Sequence, residues 1–564
     1  MMWDKMRKPA AGVLLTATML LAACGSTGNN ADNGQEAANG NAGAENASQG
    51  AIDPMGKYET PVEIKFARPS SQNWKYPDGD SLDDNIWSRE YSDKLGIKVV
   101  TDWTAEEGET YDQKMNVAIA SGNLPDMFVV NATQLQQLAN AGELADLAGV
   151  FDQYGSELTK KLVNSDGGLG LQSATFDGKL LALPGVSANL YNPSLLWIRT
   201  DWLKKLNLPE PKTMQDVFAI SDAFVNQDPD GDGKKNTIGL GLTKDLYTGG
   251  IGLISGFANG YHAYPWIWVK NADGTVQYGS TKPEMKAALG KLQELYKNGQ
   301  IDKEFGVKDG AKIGESIASN KLGIMYGENW MPYFPIIDGK KQNPGMEWKP
   351  YALPSIDDQP AKGGVAFATT TYFAVNKNFK HPEAIVKLLN MQQEKMYQAP
   401  VDPNSPFNIV QDGDTRIETY KYAVVSSTLG NDMIADSITK LKDALEKDDP
   451  EITKGMLAET DKFEPIRAFN KDRNMDYWPQ ARQFDAFQQL LNMYNNDGLV
   501  TSVLAGQTKT MGENWAALVK LEKETFTKII MGAAPIDEFD KFVDTWNALG
   551  GKEITQEVTD MVNK

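Results

Sequence analysis

The chain has 564 residues, and its 75 acidic against 56 basic side chains give a formal net charge of −19 at pH 7. This acidic excess excludes a protein that follows nucleic acid or an anionic membrane surface through electrostatic attraction. The single cysteine and the two histidines allow no internal disulfide and exclude most histidine-rich metal sites.

The first 24 residues have the pattern of an export signal. Three basic residues at positions 5–8 precede an apolar run over 10–23, which is shorter than the ~20 residues that a membrane-spanning helix needs. The run ends in L-A-A-C at Cys24, followed by Gly25, and this resembles a bacterial lipobox. We therefore predict a lipoprotein signal peptide at 1–23 and lipidation (diacylation) of Cys24. The alternative is an ordinary signal peptide with a chance cysteine.

Residues 25–55 are rich in Gly, Asn, Ala, Ser and Glu and contain no aromatic residue. Such a segment buries too little apolar surface to offset its ordering entropy, so we predict a lipid-anchored flexible tether over 24–56. No other apolar run reaches ~18 residues. The sequence thus predicts attachment by the lipid alone, at the outer face of the cytoplasmic membrane, in an extracellular or periplasmic setting.

Strand and helix patterns alternate after the tether. The predicted elements are, in order, a strand at 62–67, a helix at 82–95, a strand at 97–100, a helix at 111–120, a strand at 126–130 and a helix at 135–141. This alternation predicts parallel strands joined by right-handed crossovers, hence an α/β lobe whose ligands sit beyond the carboxyl ends of the strands. The remaining length exceeds one ordinary core, so at least two lobes are expected.

Several stretches resemble the extracellular solute-binding proteins of ABC importers, in the large lipoprotein group called family 1. Three of them are QKMNVAIASGNLPDMFVV at 113–130, LLWIRTDWLKKLNLPEPKTMQDVFAISDAF at 195–224 and YFAVNKNFKHPEAIVKLLNMQ at 372–392. The resemblance runs in recognisable order from about 55 to 400. It implies a two-lobed, periplasmic-binding-protein-like fold of class II, each lobe a sheet flanked by helices, with an enlarged C-terminal helical section.

The resemblance also implies how the chain divides. We expect lobe 1 at 57–185 plus 362–400 and lobe 2 at 186–361 plus 401–564, with crossings near 184–196, 354–366 and 393–410. It further implies a monomer that closes around a carbohydrate, in oligosaccharide form, and presents the closed form to an ABC permease. No chemistry is needed for that role, so we predict a protein that is not an enzyme.

The segment DPDGDGKKNT at 228–237 resembles the calcium loop of an EF-hand. The predicted Ca²⁺ ligands are the side chains of Asp228, Asp230 and Asp232, the backbone carbonyl of Lys234, and the side chains of Asn236 and Thr237. Three converging carboxylates repel one another unless a hard cation neutralises them. The loop departs from the pattern at position 12, where Gly239 replaces the usual glutamate. We predict a structural calcium site, with a solvated acidic turn as the alternative.

The ligand site is predicted from aromatic and polar residues near crossings and strand ends. The resemblance places Trp197 and Arg199 at the cleft, and a strand pattern would put Trp266 and Trp268 on one face. Glu328, Trp330 and Tyr333 follow an apolar strand at 322–326 and therefore belong to its carboxyl end. Aromatic faces with planar polar groups suit a carbohydrate. The further candidates are Asp126, Tyr372 and Trp478.

Two other functional classes compete with a receptor. The first is a surface-tethered hydrolase. The sequence has no H-E-x-x-H or G-x-S-x-G motif, and lipidation would consume the only thiol. A glycosidase, however, needs only two carboxylates, so this class stays open. A structural adhesin predicts repeats, and the sequence has none that we detect. A receptor for peptides remains an alternative to one for sugars.

Overall fold

The computed structural model describes residues 52–563, apart from 272, 399–401, 403–404, 414, 455–461 and 505. The predicted signal peptide, the lipidation site at Cys24 and nearly all of the predicted tether lie outside the described residues. Within the described residues, no helix combines the length and the apolar character needed to span a membrane.

The strands of the described residues are Val62–Ser70 (β1), Ile97–Glu106 (β2), Met127–Val130 (β3), Thr175–Phe176 (β4), Lys179–Leu180 (β5), Ala182–Pro184 (β6), Leu195–Arg199 (β7), Ile238–Gly241 (β8), Trp268–Lys270 (β9), Val276–Tyr278 (β10), Leu322–Gly327 (β11), Trp348–Tyr351 (β12), Gly363–Val365 (β13), Tyr372–Val375 (β14), Val410–Asp412 (β15), Thr415–Ile417 (β16) and Leu499–Thr501 (β17).

The α-helices of the same residues are Ile86–Glu90 (α1), Glu109–Ser121 (α2), Ala132–Ala141 (α3), Ala148–Tyr154 (α4), Glu157–Val163 (α5), Leu169–Ser173 (α6), Thr200–Lys205 (α7), Met214–Asn226 (α8), Ile254–Asn259 (α9), Pro283–Lys297 (α10), Gly310–Ala318 (α11), Ile337–Gln342 (α12), Glu383–Tyr397 (α13), Asn431–Lys447 (α14), Phe463–Asp472 (α15), Trp478–Asn495 (α16), Lys509–Ile530 (α17), Glu538–Trp546 (α18) and Lys552–Val562 (α19). Short 3₁₀ or π turns connect several of them.

A five-stranded sheet has the order β2-β1-β3-β14-β6. Strands β1, β2 and β3 run parallel, whereas β14 runs antiparallel to both β3 and β6. The three strands predicted at 62–67, 97–100 and 126–130 are therefore confirmed, together with their parallel pairing. The helix predicted at 82–95 is shorter, because α1 begins only after Asn85 caps its first turn.

A second sheet has the order β12-β7-β11-β8. Strand β11 runs parallel to β8 and antiparallel to β7, and β12 runs antiparallel to β7. The carboxyl end of β11 therefore lies beside the start of β7, where Gly327 pairs with Leu195. This edge is where the candidate site forms.

The buried hydrophobic residues in the described part of the chain form two core clusters. We call the one around the five-stranded sheet the first core, and the one around the second sheet and helices α14–α19 the second core. Ile417, Tyr422 and Val425 belong to the first core, although the sequence assigned 401–564 to lobe 2. The reason is tertiary: the indole of Trp87, a residue of α1 in the first core, donates to the Thr419 carbonyl at 2.9 Å and holds this segment against that core.

Three chain segments connect the two cores side by side, at 185–190, 366–371 and 426–431. The Thr428 amide donates to the Val186 carbonyl at 2.8 Å. The Asn189 side chain donates to the Ala366 carbonyl, and the Asn431 carboxamide oxygen accepts from the Asn189 amide, both at 3.0 Å. The second and third connections thus come later in the chain than the expected 354–366 and 393–410. The second connection comes later because β13, at 363–365, pairs with β17 of the C-terminal section. The third comes later because the chain around 405–425 packs on the first core.

Candidate functional site

A cleft of about 410 Å³ opens at the carboxyl end of β11. Its volume falls in the range of small-ligand pockets. Four sequence-distant regions meet there, namely the loop after β11, the segment before β7, the residue before α15 and helix α16. The lining residues are Tyr191, Asn192, Glu328, Asn329, Trp330, Lys462, Gln483 and Phe487.

Glu328 and Trp330 form the polar and aromatic centre of this cleft. The Trp330 indole donates to the Glu328 carboxylate at 2.7 Å, so the carboxylate and the ring hold each other in place. Burial raises the pKa of Glu328, and the hydrogen bond from Trp330 opposes that rise. An oriented carboxylate beside a ring can accept hydrogen bonds from hydroxyls while the ring packs against C–H groups.

The turn at Gly250 supports this pair. Its carbonyl accepts a hydrogen bond from the Glu328 amide at 3.1 Å. Gly250 has a φ of +70°, and a Cβ atom there would lie 2.3 Å from Cζ2 of Trp330. Glycine tolerates both this backbone conformation and the close approach of the ring, and it therefore allows the Trp330 ring to lie directly on the turn.

Asn329 connects three of the four regions of the cleft. Its side-chain nitrogen donates to the Tyr191 carbonyl at 2.8 Å, and its side-chain oxygen accepts from Gln483 at 2.9 Å. Tyr191 also packs on Phe487, with ring centroids 5.1 Å apart. The sequence reasoning missed Tyr191, Asn329, Gln483 and Phe487. Tyr191 lies in the first crossing, expected at 184–196, and that position could have indicated a ligand residue. Nothing in the sequence of α16 indicated that Gln483 and Phe487 line a binding site.

Trp197 and Arg199 do not lie in the cleft, contrary to the expectation. Trp197 is 0 % exposed, and its indole donates to the Gly327 carbonyl at 3.3 Å, beneath the cleft. Arg199 is buried at the far end of β7, where its guanidinium binds Asp201 at 2.6 and 2.8 Å. Since β7 runs antiparallel to β11, its last residue lies at the opposite edge of the sheet from Glu328.

Trp266 and Trp268 do not share a strand face. Strand β9 begins at Trp268, and Trp266 precedes it with a φ of +70°. Trp268 is 3 % exposed and packs in the second core against Trp546. Trp266 is half-buried and stacks on Tyr247 with centroids 5.2 Å apart, outside the lining of the cleft.

The other candidates lie elsewhere. Asp126 comes before β3, at the wrong end of that strand, and its carboxylate accepts from the Lys65 amide. Tyr372 is buried, and burial raises its pKa to about 12. Trp478 is buried and donates to Glu347 at 3.1 Å. Tyr333 is 40 % exposed and is not among the lining residues. Of the ten predicted ligand residues, the structure brings only Glu328 and Trp330 into the cleft.

The acidic loop after α8 gathers the carboxylates predicted for a metal. Asp228, Asp230 and Asp232 each bring an oxygen within 4.8 Å of the others. The Asp230 side chain is 4 % exposed, and its Oδ1 has no hydrogen-bond partner among the described residues. A converging set of oxygen donors with one buried, unpartnered carboxylate oxygen fits a hard cation such as Ca²⁺.

Other parts of the predicted calcium shell differ. Thr237 points away from the loop, since its buried hydroxyl donates to the Phe224 carbonyl at 2.6 Å. It is therefore not a calcium ligand in this arrangement, contrary to the prediction. Asn236 stays in the loop, where its side-chain nitrogen donates to Asp232 at 2.9 Å. The Lys234 amide donates to the same carboxylate at 2.8 Å.

The family model of bacterial extracellular solute-binding proteins matches residues 87–400. The chain belongs to this family. The sequence-based prediction of a binding protein of this class is therefore confirmed.

Curated relatives match over part of their length. The chain is 29% identical over 221 residues to the polygalacturonan/rhamnogalacturonan-binding protein YtcQ of Bacillus subtilis, covering 38% of this chain and 41% of the relative. It is 27% identical over 339 residues to the fructooligosaccharide ABC transporter substrate-binding protein FusA of Streptococcus pneumoniae, covering 56% of each. The chain thus spans about half the length of the curated relatives it matches.

Among solved structures, the alginate-binding protein AlgQ2, described as being without calcium ion, superposes with a TM-score of 0.55 at 14% identity. The match covers 91% of this solute-binding protein and 100% of AlgQ2. Identity this low shows the fold alone. It confirms the predicted two-lobed α/β fold.

Proposed function

We propose that this solute-binding protein captures a carbohydrate, in oligosaccharide form, and releases it unaltered to the permease of an ABC importer. The observation that carries the proposal is the hydrogen-bonded pair of Glu328 and Trp330 at the centre of the cleft. Sugars present C–H faces that pack on aromatic rings and hydroxyls that pair with planar polar groups. The carbohydrates for which YtcQ and FusA are named support the same ligand class.

Lobe closure supplies the mechanism in this proposal. A ligand that contacts both lobes only in the closed form shifts the equilibrium between open and closed forms, and the permease selects the closed form. The three connecting segments between the cores are the elements that would bend. The protein acts as a monomer, held by the lipid on Cys24 at the outer face of the cytoplasmic membrane.

The proposal also assigns a structural Ca²⁺ to the acidic loop. The ligands are the side chains of Asp228, Asp230, Asp232 and Asn236, with the Lys234 carbonyl. When bound, the ion supplies positive charge that neutralises the converging carboxylates. The description of AlgQ2 as being without calcium ion supports the assignment. Asp230→Ala is expected to lower Tm and to abolish its sensitivity to chelators, and a Tm that chelators leave unchanged in the unmutated protein would contradict the calcium assignment.

Calorimetry with a panel of oligosaccharides, followed by chromatography of the recovered sugar, tests the ligand class. The expected result is stoichiometric binding of at least one oligosaccharide and its recovery intact. Trp330→Ala is expected to weaken that binding, whereas Tyr420→Ala, an exposed ring outside the cleft, is the matched control. Converted sugar would instead indicate a hydrolase, and binding of peptides alone would indicate a peptide receptor.

A further inference from the structure

Lys321 places an ammonium group among the acidic side chains of the calcium-like loop. Its Nζ donates to Asp230 Oδ2 and to Asp232 Oδ2, each at 2.6 Å, and to Asn236 Oδ1 at 2.9 Å. These three oxygens belong to side chains that the proposed calcium ion would use. An ammonium and a divalent cation cannot both occupy the centre of so small a cluster.

The register of the second sheet fixes this lysine beside the loop. Lys321 directly precedes β11, and its carbonyl accepts from the Ile238 amide at 2.7 Å, where β8 begins after the loop. Strand pairing continues with Leu322 opposite Ile238. The lysine therefore reaches the loop from a neighbouring strand about 90 residues away in sequence, which local motif reading does not detect.

The loop also has no place for the glutamate that closes an EF-hand at position 12. Gly239 occupies that position, and a Cβ atom there would lie 2.2 Å from the Ser221 hydroxyl. The loop therefore cannot recruit a carboxylate from this position without moving α8. The ammonium of Lys321, just before β11, occupies the cluster instead, and it neutralises only part of the charge because one ammonium faces three carboxylates.

We propose that Lys321 is a built-in counter-ion of this loop, which keeps the loop folded without metal and must leave Asp230 and Asp232 before calcium binds. The displacement step rests on the proposed calcium site, whereas the counter-ion role does not. Calcium affinity is thereby set by a competing side chain of the same protein. The loop remains ordered when calcium is scarce.

Calcium titration by calorimetry tests the displacement. Lys321→Met removes the competing charge and retains the aliphatic stem, so it is expected to bind Ca²⁺ about tenfold more tightly than the unmutated protein. Lys205→Met is the matched control, because among the described residues Lys205 donates only to backbone carbonyls of the loop, those of Asp228 and, at 2.8 Å, Pro229. Its affinity is expected to stay within about twofold. Equal affinities of Lys321→Met and the unmutated protein would overturn the displacement.

Thermal unfolding in EDTA tests the counter-ion role. Lys321→Met is expected to have a lower Tm than the unmutated protein in EDTA and to regain it in excess Ca²⁺, since its carboxylates then lack any cation. An unchanged Tm in EDTA overturns the counter-ion role. If neither protein binds calcium, the calcium site and the displacement both fail, and the EDTA comparison still decides the role of Lys321.

A measurement on the unmutated protein covers the case in which Lys321→Met does not fold. Brief acetylation with an amine-reactive reagent, read out by mass spectrometry, reports the accessibility of each lysine. Saturating Ca²⁺ is expected to increase labelling of Lys321 relative to EDTA, with Lys205 as the internal reference. Labelling of Lys321 that does not change with calcium overturns the displacement.

Discussion

Two tryptophans that were both predicted to bind the ligand, Trp197 and Trp330, are expected to respond differently to mutation. Trp330 lines the cleft and is partly exposed, whereas Trp197 is 0 % exposed beneath it. Trp330→Ala removes the ring that would stack on the ligand and the donor that orients Glu328. A truncation at the centre of a binding site typically costs about 2 kcal/mol or more, so the Kd is expected to rise about 30-fold.

The expected effect of Trp330→Ala on unfolding is smaller, about 1–2 kcal/mol, because the ring is only partly buried. Trp197→Ala, by contrast, removes a fully buried indole and leaves the Gly327 carbonyl without its side-chain partner. The cavity and the lost hydrogen bond together are expected to cost about 3–5 kcal/mol. Trp197→Phe keeps most of the ring and is expected to cost less while leaving Kd within about threefold.

Urea denaturation followed by far-UV circular dichroism measures stability without relying on the mutated fluorophores. Calorimetry with the tightest oligosaccharide of the panel measures Kd for Trp330→Ala and Trp197→Phe. Normal ligand binding by Trp330→Ala, together with easier unfolding than Trp197→Phe, would contradict the placement of Trp330 in the cleft. Full stability of Trp197→Ala would contradict the placement of Trp197 in the core.

Three further changes give separate tests. Gly250→Ala is expected to displace the Trp330 ring and weaken ligand binding about tenfold with an unchanged circular dichroism spectrum, since the new Cβ would clash with the ring; an unchanged Kd would contradict the geometry. Asn431→Ala is expected to lower the unfolding free energy by about 1–3 kcal/mol, measured by urea midpoint, because the Asn189 and Leu190 amides lose their acceptor, and Asn431→Asp should lose less. Burial raises the pKa of Glu522, so between the unfolded pKa of about 4.3 and the higher folded pKa the folded protein binds more protons than the unfolded chain, and stability falls as pH rises across that range. Glu522→Gln cannot ionise and should flatten that part of the pH–Tm profile; an identical profile would show that Glu522 does not titrate with unfolding.

Much of the fold was predictable because local patterns report local structure. The alternating strand at 62–67 and the buried strand at 126–130 are where the period-two and apolar patterns place them. The same holds for the loop carrying Asp228, Asp230 and Asp232, whose converging oxygens come from residues close in sequence. Glu328 and Trp330 were predictable too, because they directly follow a recognisable strand.

The failures share one cause, which is that strand direction and side-chain burial depend on partners distant in sequence. Arg199 was predicted at the cleft, but the antiparallel pairing of β7 with β11 places it at the opposite edge of the sheet. Trp266 and Trp268 were predicted on one strand face, but the backbone has a positive φ at Trp266 and the strand does not include it. The assignment of 401–425 failed similarly, because packing of Tyr422 and its neighbours on the first core cannot be inferred from their own composition.

The family, the two-lobed α/β class, the acidic loop and the segment that carries Glu328 and Trp330 could all be predicted from the sequence, because each depends on contiguous residues or on their order along the chain. Three features required the packed structure: which aromatic rings reach solvent, how α16 completes the cleft, and the entry of Lys321 into the acidic loop. Those three outcomes depend on sheet register and helix packing, which join residues far apart in the sequence and have no local signature.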